Sequence, residues 1–268
     1  MNFGEIFSQT WKDYKLNFKS ILKFILLFIG IPAFIFSIIN ISLVLSNEDL
    51  KSLVLSNNFE NSSKLFLLST PYLISIIITG LISILIYLFV FSSLTNISIK
   101  KKTFNVKDLI SSGKKSLWKY LLFSIVYLFF IFLLSLLLII PGIIFLFYWI
   151  LGDYVLFDRN KGIMDSLKIS KNLVKGRWWR VFGYSILIGL ILIAIVIGVS
   201  MVSSILLLPF YLIKLISTSS LNGPITPLFY IASTIISFIS QVTINIIIWP
   251  IYILFYKNLY LDFKKSKK

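Results

Sequence analysis

The chain of 268 residues is 58% hydrophobic and only 13% charged, with a mean hydropathy of +0.95 and a net charge of +16. Soluble domains are nearer half apolar and a quarter charged, so a water-soluble core is excluded. With no cysteine and no histidine, the chain lacks disulfides, thiolate or imidazole metal ligands, cysteine nucleophiles and the commonest general base.

Residues 3–19 are polar and charged. The apolar block Ser20–Leu45 follows. It is too long for a signal-peptide core of about 7–15 residues, and reads as an uncleaved first span kinked at Pro32. Further apolar blocks run from Leu65 to Ile99, Trp118 to Phe157, Val181 to Ile216 and Ile225 to Tyr256. The expected fold class is all-α: a polytopic transmembrane helix bundle of about six spans with cytoplasmic amphipathic helices.

The block Trp118–Phe157 decides the threading. As one helix it would reach about 60 Å, twice the hydrocarbon thickness, which tilt does not absorb. Pro141 disfavours helix at Ile140, and Gly142 supplies backbone freedom for a reversal. Two spans are expected, Trp118–Ile140 and Ile143–Phe157. The second leg, about 22 Å as helix, needs Tyr148, Trp149 and Tyr154 at the interface or local thinning. A re-entrant segment is the rival reading.

Charge gives a second vote. Of the 26 lysines and arginines, all but Lys51, Lys64 and Lys214 lie in residues 1–23, 100–119, 158–180 and 257–268. This bunching reports membrane orientation and sets nucleic acid aside. The positive-inside rule places all four segments, and so both termini, in the cytoplasm, which requires an even number of crossings between 119 and 158. Richness in Ile, Lys, Asn, Phe and Ser suggests a bacterial source.

Basic, partly amphipathic segments (3–19, 103–116 and 160–178) precede each apolar pair. One membrane domain is expected, divisible into pseudo-repeats 1–100, 101–158 and 159–268, or into hairpins with no common origin. In the third, Ile163, Met164, Leu167 and Val174 share a helical face with Ser170, while Asp165, Lys168, Lys171, Asn172 and Lys175 fall mostly opposite. That pattern fits a helix lying in the interface. Gly176 ends it, and Arg177, Trp178, Trp179 and Arg180 follow at headgroup level. Candidate contacts to anionic lipid headgroups are Lys168, Lys171, Lys175, Arg177, Trp178, Trp179 and Arg180. The alternative is that they only anchor the next span. The "LVLSN" repeats at 43–47 and 53–57 fit replication slippage as well as function, and the sequons at Asn61 and Asn96 read as chance in an Asn- and Ser-rich chain.

The run "IPGIIFLFYWILGDYVLFDRNKGIMDSLKISKNLVKGRWWRVFG" resembles a broad family of bacterial polytopic membrane proteins. That family includes the membrane module joined to some glycerophosphoryl diester phosphodiesterases, besides stand-alone members of unassigned role. The resemblance rests on Pro141-Gly142, the aromatic run to Asp153–Asp158, Gly162, Ser166 and Ser170, and Lys175-Gly176 before Trp178-Trp179. It implies a membrane module. It does not imply the phosphodiesterase activity, which belongs to a separate soluble domain in those fusions.

Ionisable residues inside a membrane are functional suspects. Asp153 is expected near the cytoplasmic end of its span, within reach of Arg159 or headgroup water. Lys23 is placed to snorkel, and Lys214 lies near an outer end. Two polar stripes have helical spacing: Ser75, Thr79 and Ser83, and Thr234, Ser237, Gln241 and Asn245. They should turn from lipid, either lining a path with Asp153 or gluing helices together. The small-residue pairs Ser185/Gly189 and Ala194/Gly198 read as close helix packing. No carboxylate pair, metal cluster or nucleophile–base set is seen, so neither a cofactor nor an enzyme is expected. The reading is a non-enzymatic multi-pass protein of the cell membrane: a membrane-embedded partner or an envelope and lipid-homeostasis factor. The partners expected are anionic lipid at the cytoplasmic face and a second membrane protein. The alternative is a small transporter or permease using the polar faces.

Overall fold

A computed structural model describes residues 1–46, 62–216 and 225–266. The 53–57 repeat, Asn61 and Lys51 lie outside them, as do the side chains of Lys64 and Lys214. The described residues form helices and no strand. In chain order these are α1 (Phe3–Ile25), a π-helical turn (Leu26–Gly30), α2 (Ile31–Ser46), α3 (Ser62–Lys100) and α4 (Val106–Leu137). There follow α5 (Ile139–Trp149), α6 (Gly152–Asp158), α7 (Ile163–Val174), α8 (Trp178–Ile216) and α9 (Ile225–Lys265).

Among the described residues, six segments are long and apolar enough to cross a membrane: Phe3–Ser46, Leu73–Lys100, Val106–Leu136, Ile139–Asp158, Trp178–Phe210 and Leu228–Lys265. They carry Ile77, Leu128, Phe132, Leu136 and Ile205 exposed. Apolar surface on that scale is lipid-facing. The chain is a multi-pass integral membrane protein.

The chain divides into two compact units. The first holds Met1–Ile25, Tyr87–Ile193 and Ile246–Lys268; the second holds Leu26–Ile86 and Ala194–Asn245. The first unit contains every lysine and arginine except Lys51, Lys64 and Lys214.

In the first unit, α4 opens with a capping box. Asp108 N–H donates to Asn105 Oδ1 at 2.8 Å, and Asn105 N–H donates to Asp108 Oδ2 at 3.1 Å. The reversal comes at Leu138, which is extended at φ −158°, ψ 130°. This corrects the expected break at Pro141. The first turn of a helix has no partners for its N–H groups, so proline is tolerated there, and Pro141 sits in the first turn of α5. The second leg gains residues as a result. Ile139–Asp158 is about 30 Å of helix, enough to span, in place of the short leg expected from Ile143. Gly142 serves proximity rather than turning: a Cβ there would lie 3.0 Å from Ser135 Cα and overlap its side chain. The hairpin closes only because this position carries a hydrogen.

Helix α7 packs on α5 and α6. Its Leu167 joins Phe123, Leu156 and Phe157 in a core, with Tyr120, Tyr127, Trp149 and Ile163 around it. Ser170 Oγ donates to Tyr148 O at 2.8 Å. That carbonyl lies where α5 gives way to α6, so the hydroxyl satisfies an acceptor at an interrupted helix. Gly176, at φ +82°, then terminates the turn after α7, a backbone conformation glycine adopts without a Cβ clash. Only in this third segment is the amphipathic helix separate; residues 3–19 and 106–116 run directly into spans.

The end of α3 is a buried polar run, Ser92, Ser93, Thr95, Asn96 and Ser98. Ser93 Oγ donates to Leu109 O, and Ser112 Oγ donates to Ser93 O at 3.3 Å, joining α3 to α4. Burial within a helix leaves the Asn96 sequon idle.

In the second unit, a π turn ahead of Pro32 stands where the kink was expected. Ser203 and Ser240 pair their hydroxyls between α8 and α9, and Phe34 meets Phe238 at 5.6 Å. A groove of about 270 Å³ runs between α8 and α9, lined by Gly198, Val202, Ser203, Ile239, Ser240 and Thr243 among others. The close packing expected at Gly198, and at Gly189 in the first unit, is not found: a Cβ on either would meet no heavy atom within 4 Å. Also in the first unit, Ser185 accepts from Tyr256 Oη at 2.8 Å.

Candidate functional site

Helix α1 buries Ile6, Thr10, Asp13, Tyr14, Asn17 and Ile21, a stripe at three- and four-residue spacing. Its middle is polar and must find partners. Lys257 Nζ of α9 pairs with Asp13 Oδ2, and the two side chains are 9% and 5% exposed. Gln9 Nε2 donates to Asp13 Oδ1 at 2.8 Å. Asn258 Nδ2 reaches Thr10 Oγ1 at 3.2 Å and Asp13 Oδ2 at 3.3 Å. Asn17 Nδ2 donates to Asp13 O and Lys102 O, both at 3.0 Å, and Asn17 Oδ1 accepts from Phe104 N at 3.0 Å. One buried network thus ties α1 to α9 and to the link between α3 and α4.

A second set lies further along α9. Asp158 Oδ2 accepts from Tyr260 Oη and from Lys264 Nζ, both at 2.6 Å. Arg180 Nη2 meets Asp262 Oδ2 at 3.0 Å. The Arg177 and Arg180 guanidinium groups lie 5.1 and 5.3 Å from the Phe263 ring, within cation–π range.

The headgroup candidates therefore divide. Arg177 and Arg180 face α9, with Arg177 also donating to Ser266 Oγ. Trp178 is half-buried: its Nε1 donates to Ile144 O at 3.1 Å and its ring stacks on Phe182 at 5.1 Å. Lys168, Lys171 and Lys175 are exposed on α7, with Lys171 Nζ 4.9 Å from the Phe145 ring centroid, and Trp179 is 77% exposed. On α7 itself, Leu167, Ser170 and Val174 are buried as the spacing predicts, while Met164 is exposed and Ser166 and Leu173 are buried.

Several members of the polar stripes bond within their own helices. Thr79 Oγ1 donates to Ser75 O at 2.8 Å and Ser83 Oγ to Thr79 O at 2.7 Å, so both hydroxyls bond back to their own helix. Thr234 Oγ1 does likewise to Tyr230 O at 2.8 Å. Asn245 is buried, with Nδ2 donating to Gln241 O at 2.8 Å, whereas Ser237 and Gln241 are exposed.

Asp153 belongs to the first unit. It is half-buried at the start of α6 and accepts from Tyr154 N–H at 2.9 Å. Of the two expected neighbours, Arg159 makes no ion pair with it and acts electrostatically on Asp158 and Tyr260. Tyr120, Tyr127, Tyr154 and Tyr252 stand within its electrostatic reach. Among the described residues, no three Asp or Glu side chains gather closely enough to hold a metal.

The residues that sequence reasoning missed are Asp13, Asn17, Lys257 and Asn258. The available signal was the shared face of Thr10, Asp13 and Asn17 with Ile6 and Ile21. Comparison with protein-family models, curated proteins and solved structures finds no match to this chain.

Proposed function

We propose that this protein is a non-enzymatic module of the cell membrane that engages anionic lipid headgroups through α7, with both termini cytoplasmic. One observation carries the reading: α7 buries its apolar face against α5 and α6 and leaves Lys168, Lys171 and Lys175 outward, with Trp179 exposed beyond Gly176. An amphipathic helix whose apolar face is already covered has only charge to offer a membrane. Three lysines near an anionic leaflet contribute about 1 kcal/mol each, and the attraction falls off within a Debye length.

The orientation is supported by the gathering of all four basic segments into one compact unit. Membership of the family that contains the phosphodiesterase-linked membrane module is part of the proposal. Two of its motif positions, Gly142 and Gly176, are ones where a side chain is strained or excluded. Full-length protein in nanodiscs tests the lipid reading. Replacing part of the zwitterionic lipid with phosphatidylglycerol should raise retained anionic lipid in native mass spectra. Lys168→Gln, Lys171→Gln and Lys175→Gln together should remove most of that gain. Equal retention by the triple variant would end the proposal.

A transport role is the second reading, favoured by Asp153, a half-buried carboxylate among tyrosines with no cation bonded to it among the described residues. Solute flux in proteoliposomes that survives Asp153→Asn would remove that residue from it.

A further inference from the structure

Gln241 and Ser237 sit one turn apart on α9, and both are exposed. Their depth makes this exposure consequential. Tyr230 and Tyr252 lie on the same helix, each eleven residues from Gln241. The tyrosines are thus separated by about 33 Å of helix, close to the hydrocarbon thickness, and tyrosines mark membrane interfaces. Gln241 therefore lies near the midplane, where an amide facing lipid is strongly unfavourable.

The neighbouring hydroxyls show how this helix ordinarily avoids that penalty. Ser233, Thr234, Ser240 and Thr243 each donate to a carbonyl three or four residues earlier. Ser237 makes no such bond, and the Gln241 amide has no partner among the described residues. Two adjacent, unsatisfied polar groups at the bilayer centre point to an occupant outside the chain.

We propose that this face of α9 packs against the same face of a second copy, with the Gln241 amides bonded across a two-fold axis along the membrane normal. The amide is its own complement, because it carries both donors and an acceptor. Two copies inserted with the same orientation also bring Gln241 to one depth without further adjustment. The contact is isologous and keeps equal depths together, so Ser237 of each copy meets Ser237 of the other, one turn from the paired amides. This proposal is independent of the lipid reading, which uses α7 in the other unit.

The absence of cysteine allows a direct test, since any introduced thiol is unique. Full-length Ser237→Cys, which keeps Gln241, is oxidised with copper phenanthroline in native-like membranes. Ile205→Cys, at a 68% exposed position on α8, is the collision control. The expected result is a disulfide-linked dimer at position 237 and little or none at 205. In nanodiscs, Gln241→Leu should weaken dimerisation about three- to thirty-fold while leaving the monomer folded. Equal cross-linking at 237 and 205, a wild type that is monomeric at every protein-to-lipid ratio, or an unchanged dimer in Gln241→Leu would each overturn the proposal. So would labelling of the Ser237→Cys variant by a membrane-impermeant maleimide, which would mark a water-lined face instead.

Discussion

Asp13 and Asp153 are carboxylates of the same unit held in opposite ways. Asp13 is 4% exposed and is matched at every turn: a lysine, two amides and the nearby Thr10–Asn258 contact surround it. Asp153 is half-buried, accepts one backbone N–H, and has four tyrosines within its electrostatic reach but no ion pair among the described residues. The first turn of a helix favours its negative charge, which compensates in part. The difference lies in pairing: the withdrawn Asp13 charge is met by a lysine, so removing either partner strands the other, whereas removing the Asp153 charge strands no cation. The Asp13 region is therefore a lock, and the Asp153 region tolerates change.

The largest expected effect comes from leaving Lys257 buried without its partner. Asp13→Ala should lower stability by about 3–5 kcal/mol, measured by denaturant titration of the full chain in detergent micelles. The double variant Asp13→Leu/Lys257→Met should recover most of that loss, because no charge is then stranded. A double variant as unstable as the single would show that pairing is not what matters.

Packing supplies the next effect and separates charge from fit. Gly142→Ala should cost about 1–3 kcal/mol in the same titration, since Ser135 occupies the space a methyl needs. Gly198→Ala, which meets nothing, should instead be neutral or stabilising by up to about 1 kcal/mol. Asp158 is intermediate, its carboxylate bonded to Lys264 and Tyr260 but partly open. Asp158→Asn should cost about 1–2 kcal/mol, between exposed and buried pairs. The smallest effect is expected at Asp153, where Asn keeps the acceptor for Tyr154 N–H. Asp153→Asn should change stability by less than about 1 kcal/mol. A loss as large as that of Asp13→Ala would erase the contrast between the two regions.

Much of the architecture was legible in the residues. Apolar runs gave the spans, and the length of the block from Trp118 gave the hairpin. The position of the reversal was not legible, because Pro141 is compatible either with ending one helix or with beginning the next, and the Ser135–Gly142 approach that selects the second is a tertiary contact. The Asp13 network was harder still. Thr10, Asp13 and Asn17 share a face, yet the lysine they need lies far along the chain, among basic residues that serve orientation equally well. On α9, spacing alone picked out Thr234, Ser237, Gln241 and Asn245. The groove to α8 uses Ile236, Ile239, Ser240 and Thr243. In a helix apolar on most sides, period does not say which side meets a neighbour.

The two members of the buried ion pair are 244 residues apart. A ribosome adding roughly 5–20 residues per second needs on the order of ten to fifty seconds to go from one to the other. Throughout that interval α1 carries an unmatched carboxylate while successive spans enter the bilayer. The nascent helix must therefore wait in water or among headgroups until Lys257 emerges, and chains interrupted before that point should be handed to membrane proteases rather than accumulate.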